Sequence, residues 1–219
     1  MILRRESLPK ITSKEYYRLH TDYVTPLDLK IDVEQFTKEI EQYRSYFKQW
    51  GNQYTEYPRY GVPLVNLTGR IDDEVDPSCH PLHQWNLEFP QERYWDTDFK
   101  KTTEIFELPS LGPIHQFRDL MLRSNILLWH NTARFLPHVD ITHGKIDHVR
   151  LWGTTADSDV YELNYGEYRV RNFEPGRLYL IDTIKRHGAI AHADNVYTFF
   201  LSMDLKALPI LEKLLLTNK

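Results

Sequence analysis

The sequence predicts a mainly β domain, in which about eight strands form a barrel or sandwich with flanking helices. Two helical patterns come early in the chain, and a series of short strand-like runs separated by turn signals follows residue 123. No helical crossover fits between these runs, which disfavours a parallel α/β sheet. The chain has 219 residues, a length that suits one domain with a single core.

The N-terminal part, residues 1–104, predicts a cap of helices and loops. The first part of this segment, up to residue 30, is polar and mixed and predicts no regular structure. Asp32 is expected to cap a helix, because apolar residues recur behind it at helical spacing until Gly51. Residues 52–100 are rich in proline, so we expect loops and short strands that cover one side of the core.

The rest of the chain, within the single domain 1–219, predicts a β core over residues 105–204 and a C-terminal helix over 205–219. A helix is expected to begin at Pro113, because proline suits the first helical position. The tail is rich in leucine and predicts a helix that packs on the core. The predicted strands lie at 125–130, 134–140, 146–154, 160–163, 168–173, 177–181, 188–191 and 196–203.

The composition disfavours several kinds of protein. Lys and Arg number 27 against 31 Asp and Glu, a net charge of −4, which argues against nucleic-acid binding through a basic surface. The single cysteine, Cys79, excludes an internal disulfide framework and suits a reducing compartment, so we expect a cytoplasmic protein. No apolar run approaches the ~20 residues of a membrane span, so no membrane partner is expected.

Histidine is the unusual feature of the composition, with ten residues. In a His-x-Asp pattern both side chains project from the same side of a strand, and they supply two ligands for a metal that needs two His and one carboxylate. The pattern begins at His20, His138 and His192. His20 lies outside any predicted strand, whereas His138 and Asp140 close one. The third ligand is then expected from a later strand, with His187 favoured and His192 as the alternative.

Four stretches of the sequence, at residues 136–140, 176–182, 187–190 and 201–204, share a pattern with a known group of proteins. They resemble the iron(II)/2-oxoglutarate-dependent oxygenases, and most closely the aspartyl/asparaginyl β-hydroxylase and proline-hydroxylase branch. The resemblance covers residues 105–204. It implies a double-stranded β-helix, a jelly-roll barrel like that of the cupins, with His138, Asp140 and His187 as ligands of Fe(II).

The resemblance also implies an enzyme, a dioxygenase that hydroxylates a C–H bond with O₂ and converts 2-oxoglutarate into succinate and CO₂. Its substrate would be a small molecule or a peptide: a free amino acid, or an aspartyl, asparaginyl or prolyl residue. Two alternatives from other classes stay open. One is a cupin-like metal-binding protein with a different cosubstrate, and the other is a non-catalytic barrel that binds a small acid.

The distal carboxylate of 2-oxoglutarate needs a buried partner that offsets the loss of hydration. In the family this partner is an Arg on the last strand, where this sequence has Tyr197 and Thr198, which donate weaker hydrogen bonds than Arg. Arg150 is the favoured partner, with Trp152 beside it, because alternate residues of the strand at 146–154 share one face. The alternative is that Arg150 is a surface charge on an edge strand.

Overall fold

The computed structural model describes Tyr16, Leu19 and residues 22–50, 59–140 and 146–216. The strands are β1 (Val24–Lys30), β2 (Lys48–Gln49), β3 (Arg59–Asn66), β4 (Lys101–Thr102), β5 (Met121–Trp129), β6 (Arg134–His138), β7 (His148–Thr154), β8 (Tyr161–Tyr165), β9 (Tyr168–Arg169), β10 (Arg177–Ile181), β11 (His187–Ala191) and β12 (Val196–Asp204). The α-helices are α1 (Val33–Ile40), α2 (Leu82–Glu88) and α3 (Leu208–Leu214). Short 3₁₀ helices lie at Glu41–Tyr46, Pro77–Cys79, Asp96–Asp98, Glu104–Glu107, Pro109–Leu120 and Leu205–Ala207.

The strands of the described residues form two antiparallel sheets. The larger sheet has the order β1-β10-β7-β12-β5-β3-β2, with β4 paired to β3, and the smaller has the order β6-β11-β8-β9. Strands β5 to β12 therefore make two interleaved four-stranded sheets, β10-β7-β12-β5 and β6-β11-β8-β9. This connectivity is a jelly roll of two Greek keys, the double-stranded β-helix. The predicted fold class is confirmed.

Both faces of the larger sheet are buried, each in its own hydrophobic cluster. Because alternate side chains of a strand point to opposite faces, Phe199 of β12 packs outward while Phe200 packs between the two sheets. On the outer face, Phe36 of α1 meets Phe199 edge to face, with ring centroids 4.8 Å apart. On the inner face, Trp129 and Trp152 fill the space between the sheets. Within the described residues, no helix has the length and apolar character needed to cross a membrane.

The predicted N-terminal cap is corrected by the structure, because segment 1–104 also extends the larger sheet. Strand β1 pairs with β10 although it falls where no regular structure was expected, and Leu27 and Leu29 alternate there as buried residues. Strand β3 pairs with β5, in a stretch where the sequence predicts loops and short strands. Its pairing register shifts between Pro63 and Val65, and such an irregularity accommodates the missing N–H of proline.

The predicted helix at Pro113 is a second correction. Residues Pro109–Leu120 form a 3₁₀ helix, with Pro113 inside it rather than at its start. Among the strands, β10 has the predicted bounds, whereas β5 begins at Met121 and β9 ends at Arg169. The C-terminal helix forms as expected and is shorter than predicted, as α3.

The turn that precedes β10 depends on Gly176. Its backbone adopts φ +80°, its N–H donates to the Thr154 carbonyl over 2.7 Å, and its carbonyl accepts from the Ile31 N–H over 2.9 Å. A Cβ at this position would lie 2.2 Å from the Ile31 carbonyl oxygen. Only glycine therefore fits between the start of α1 and the edge of the sheet.

We expect Gly176→Ala to lower the free energy of unfolding by about 3 kcal/mol or more, because it adds a backbone clash to a left-handed conformation. Gly166→Ala is the matched control, since Gly166 has φ +63° and nothing within 4 Å of an added Cβ. The control is expected to cost about 1 kcal/mol, the left-handed penalty alone. Urea unfolding of both variants measures the difference, and equal losses would contradict the clash.

Candidate metal centre

The predicted triad meets at one end of the smaller sheet. His138 ends β6, His187 begins β11, and the antiparallel register pairs the two residues directly. Asp140 lies just beyond β6, and its backbone N–H donates to the Thr183 carbonyl over 3.2 Å. One ligand atom from each of the three side chains lies within 4.8 Å of the others. The fold therefore brings together two imidazoles and one carboxylate, as the sequence predicts.

Both histidines present the same ring nitrogen to this cluster. The Nδ1 atom of His138 lies 2.9 Å from the Leu136 carbonyl oxygen, and that of His187 lies 2.9 Å from the Lys185 carbonyl oxygen. A carbonyl only accepts, so each Nδ1 carries the hydrogen, and Nε2 of the neutral ring holds a lone pair. Both Nε2 atoms are buried and have no hydrogen-bond partner among the described residues. Burial lowers the pKa of His187, with Asp140 opposing, and so favours its neutral form.

Asp140 completes the cluster as an ionised carboxylate. Burial alone would raise its pKa, but Arg150 and the two histidines outweigh burial and hold the pKa below its ordinary value. Its Oδ1 lies 3.1 Å from Nε2 of His138, and its Oδ2 lies 3.7 Å from Nε2 of His187. Electron-pair donors at such distances repel each other unless a proton or a metal cation lies between them. Two His and one carboxylate are the ligand set of non-haem Fe(II) sites with open positions.

Aromatic rings hold the two imidazoles in place. The His138 ring packs on Phe135, with ring centroids 3.9 Å apart. The guanidinium carbon of Arg59 lies 3.8 Å from the centre of the same Phe135 ring. The His187 ring packs beside Tyr165, at 5.7 Å between centroids. Tyr165 in turn stacks on Tyr23 at 4.5 Å. The ligands therefore have restricted orientations, which a metal site requires.

A cavity of about 440 Å³ adjoins His138 and Asp140. Its mouth carries the exposed side chains Leu87 (68 % exposed) and Val139 (37 %). Its apolar lining is contributed by Trp50, Pro81, Leu82, Leu87, Leu127, Phe135, Val139 and Phe200. Charged and polar groups that line it include Arg59, Asp96, Arg123, Asn125, Arg150 and Ser202. The cavity can therefore hold a small organic acid or the end of a larger molecule next to the triad.

Arg150 connects the triad to an ion-pair network. Its Nη1 donates to Asp140 Oδ2 over 2.8 Å, and its Nη2 donates to Asp96 Oδ1 over 3.2 Å. Arg123 approaches the same Asp96 oxygen at 3.5 Å and donates to the backbone carbonyls of Ser78 and His80. Burial works against the charged form of Asp96, but the two guanidinium groups outweigh it and lower the pKa of Asp96. The sequence did not predict Asp96 or Arg123 as site residues, because no local pattern marks them.

The other predicted cosubstrate residues do not gather at the triad. Trp152 lies in the core between the sheets, where its ring contacts Phe173 at 5.2 Å. Thr198 faces inward, and its hydroxyl accepts from Trp129 Nε1 over 2.8 Å. Tyr197 lies on the opposite face of β12, in the outer cluster, which corrects its predicted role. Counting along the chain from His187 does not fix which face a residue of the last strand occupies.

Tyr197 instead connects the last strand to the helical layer. Its hydroxyl donates to Glu41 Oε1 over 3.0 Å and accepts from Arg44 Nη1 over 2.8 Å. Arg44 also donates to Asn195 Oδ1 over 2.7 Å. Burial, aided by the contact with Glu41, raises the pKa of Tyr197 to about 12. These contacts give Tyr197 a structural role in joining β12 to the helical layer.

The His-x-Asp pattern at His192 lies away from the triad. His192 is on the surface, with Nε2 2.9 Å from Glu162 Oε1, so the structure does not bring this alternative ligand to the cluster. Asp194 accepts instead from the Asn131 N–H over 3.0 Å. His20 lies outside the described residues. Of the two patterns whose residues the structure describes, the one at His138 has both side chains next to a third candidate ligand.

Comparison with known proteins gives similarities of fold at low sequence identity. No family model and no curated protein matches the chain. A prolyl-4-hydroxylase from Pseudomonas putida is 10 % identical, with a TM-score of 0.43, over 84 % of this chain and 92 % of that one. A 2OG-Fe(II) oxygenase family protein from Burkholderia pseudomallei is 11 % identical, with a TM-score of 0.39, over 76 % and 77 %. KdgF from Halomonas sp. is 16 % identical, with a TM-score of 0.30, over 41 % and 75 %.

We expect Tyr197→Phe to lower the free energy of unfolding by about 1–2 kcal/mol, because it removes two partly buried hydrogen bonds. The substitution should leave ligand binding in the cavity unchanged. Urea unfolding measures the first effect. Titration of the folded variant with 2-oxoglutarate in the presence of Fe(II), without oxygen, measures the second. A loss of 2-oxoglutarate affinity with unchanged stability would contradict the structural role and show that Tyr197 contributes to ligand binding.

Proposed function

We propose that the protein is an iron(II)- and 2-oxoglutarate-dependent dioxygenase that hydroxylates an amino acid, free or as an aspartyl, asparaginyl or prolyl residue of a peptide. One observation carries the proposal. The Nε2 atoms of His138 and His187 are buried, have no hydrogen-bond partner among the described residues, and face the ionised carboxylate of Asp140. The jelly roll places this set beside a cavity with a polar and an apolar lining, so that a metal and an organic acid can bind together.

The chain's residues have separate tasks in this proposal. His138, Asp140 and His187 would hold Fe(II) on one side and leave positions open for the cosubstrate and O₂. The iron, when bound, supplies the redox chemistry that couples oxidation of 2-oxoglutarate to succinate and CO₂ with hydroxylation of a substrate C–H bond. The apolar lining of the cavity keeps water away from this chemistry. The substrate would enter past Leu87 and Val139, at the mouth.

Arg150 is our proposed partner for the distal carboxylate of 2-oxoglutarate. Its side chain is 14 % exposed, it lines the cavity, and its Nε has no hydrogen-bond partner among the described residues. The inward side chains of β12 do not offer an alternative cation, because they are Val196, Thr198, Phe200 and Ser202. A guanidinium binds a carboxylate more strongly than any of these hydroxyl groups.

The proposal is tested by reconstitution of the full chain without oxygen. We expect about one Fe(II) per chain and a weak visible charge-transfer band when 2-oxoglutarate is added, because a 2-oxo acid chelates the iron through its open positions. His138→Ala and His187→Ala should lose the band. His192→Ala is the matched control, since it removes a histidine from the same smaller sheet without touching the triad, and it should keep the band. If the wild-type protein shows no band and binds no Fe(II), the proposal is wrong.

A second prediction concerns Arg150→Gln, compared for 2-oxoglutarate and for pyruvate, a 2-oxo acid that lacks the distal carboxylate. At saturating Fe(II), we expect the affinity for 2-oxoglutarate to fall by ~10-fold or more, the range of a lost charge-assisted hydrogen bond, and that for pyruvate to change little. Equal losses for the two acids, together with weaker Fe(II) binding, would show that Arg150 acts only through Asp140.

A cupin-like metal-binding protein with a different cosubstrate is the second candidate. The specific observation in its favour is the lack of a cation among the inward side chains of β12. Succinate release separates the two candidates. Stoichiometric Fe(II) binding without oxygen-dependent conversion of 2-oxoglutarate into succinate would favour the second candidate, and a non-catalytic barrel would bind the acid without consuming it.

A further inference from the structure

The turn between β10 and β11 is held by hydrogen bonds to a buried aspartate. Asp182 follows β10 and is 3 % exposed, and its Oδ1 accepts from the backbone N–H groups of Ile184 and Lys185, over 3.1 and 3.4 Å. An aspartate that binds the backbone ahead of it in this way fixes the shape of a turn. The carboxylate of Asp182 therefore fixes the backbone conformation of the residues that lead to His187.

The same turn contacts two of the three proposed ligands. The carbonyl of Thr183 accepts from the backbone N–H of Asp140 over 3.2 Å. The carbonyl of Lys185 accepts from Nδ1 of His187 over 2.9 Å, which sets the tautomer and the direction of Nε2. A change in the shape of this turn would therefore displace the backbone of Asp140 and the ring of His187 together.

Two tyrosine residues hold the beginning of the turn from outside. The Tyr16 hydroxyl donates to the Ile181 carbonyl over 3.1 Å and accepts from the Thr183 N–H over 3.2 Å. The N–H of Asp182 donates to the Tyr23 carbonyl over 2.9 Å. Four consecutive N–H groups, those of residues 182–185, are thus bonded, and the second pair depends on the Asp182 carboxylate.

We infer that Asp182 is a positioning residue of the metal site, whose carboxylate holds the turn that orients His187 and Asp140. The inference deepens the proposed function and rests on its metal site. Removal of the carboxylate leaves two N–H groups without their acceptor, so the turn relaxes and the ligands lose their relative placement. Mutation of a residue that hydrogen-bonds to a metal ligand commonly lowers the metal affinity by about 10–100-fold.

The test compares Asp182→Ala with Asp182→Asn in the full-length protein. The asparagine side-chain oxygen can accept the same two hydrogen bonds, so Asp182→Asn should bind Co(II) within about threefold of the wild type. Asp182→Ala should bind Co(II) ~10-fold or more weakly, and the ligand-field bands of the Co(II) form should change because the ligand geometry changes. Competition with a chelator gives the affinities without any measurement of turnover.

Asp157→Ala is the matched control. Asp157 Oδ1 accepts from the N–H groups two and three residues ahead, Asp159 and Val160, over 3.0 and 3.2 Å, the same pattern as at Asp182. Asp157 precedes β8 at the end of the smaller sheet opposite the ligands, because Tyr161 pairs with Ala191 at the far end of β11 from His187. This variant should keep the Co(II) affinity and spectrum of the wild type.

Several outcomes would overturn the inference. It fails if Asp182→Ala binds Co(II) as tightly as the wild type, if Asp157→Ala loses affinity equally, or if Asp182→Asn does not restore binding. If Asp182→Ala does not fold, Co(II) binding by Tyr16→Phe is measured instead. This variant keeps the aromatic ring and removes the hydroxyl that accepts from the Thr183 N–H. Unchanged Co(II) affinity and spectrum in Tyr16→Phe would then count against the inference.

The result is distinguishable from failure of the proposed function. A wild-type protein that binds no Co(II) or Fe(II) refutes the metal site itself. A wild-type protein that binds the metal but does not convert 2-oxoglutarate refutes the oxygenase activity and leaves the role of Asp182 in the metal site to be decided by its variants.

Discussion

The pairing of His138 with His187 across β6 and β11 is the contact on which the rest of the site depends. In each ring a carbonyl holds Nδ1–H, so Nε2 of the neutral imidazole is a buried lone pair. Asp140 adds a carboxylate that its surroundings keep ionised. A group of buried electron-pair donors is unfavourable without a cation, because each has lost its hydration and they repel one another. The fold therefore maintains an arrangement whose free energy improves when a metal binds.

The jelly roll supplies the rigidity that such an arrangement needs. The smaller sheet sets the two histidines opposite each other through strand register, and the larger sheet carries Arg150 on the wall that faces them. Arg150 lies between two carboxylates, Asp140 and Asp96, and Arg123 anchors Asp96 to the backbone of a loop outside the barrel. The ligand Asp140 is thereby fixed at two points: its backbone N–H donates to Thr183 in the turn between β10 and β11, and its carboxylate accepts from Arg150 of β7.

Local patterns in the sequence account for the parts that were predicted, and tertiary contacts account for the rest. His138 and Asp140 could be found because a strand places neighbours two apart on one side, and β10 has clear turn signals before it. Short strands were expected around β3, but its bounds and its pairing with β5 could not be predicted, because Pro63 is a loop signal unless the register irregularity beside it is known. Which face Tyr197 occupies could not be predicted, because both faces of β12 are buried and burial therefore does not alternate along the strand. Asp96 lies in no motif, and only the fold brings it to Arg150.

Under the proposed function, charge balance favours the binding of a metal and an organic acid together. Around the ligands, the ion-paired residues Arg123 and Arg150 offset Asp96 and Asp140, and Arg59 adds one further formal positive charge to the lining of the cavity. A divalent cation alone would add two buried positive charges to it, and 2-oxoglutarate alone would add two negative charges. Buried charge without compensation is costly, whereas the cation and the dianion together add none. By linkage, each then strengthens the binding of the other to the same degree. The site needs no further cation on β12 for overall neutrality, and Arg150 has only to direct the distal carboxylate.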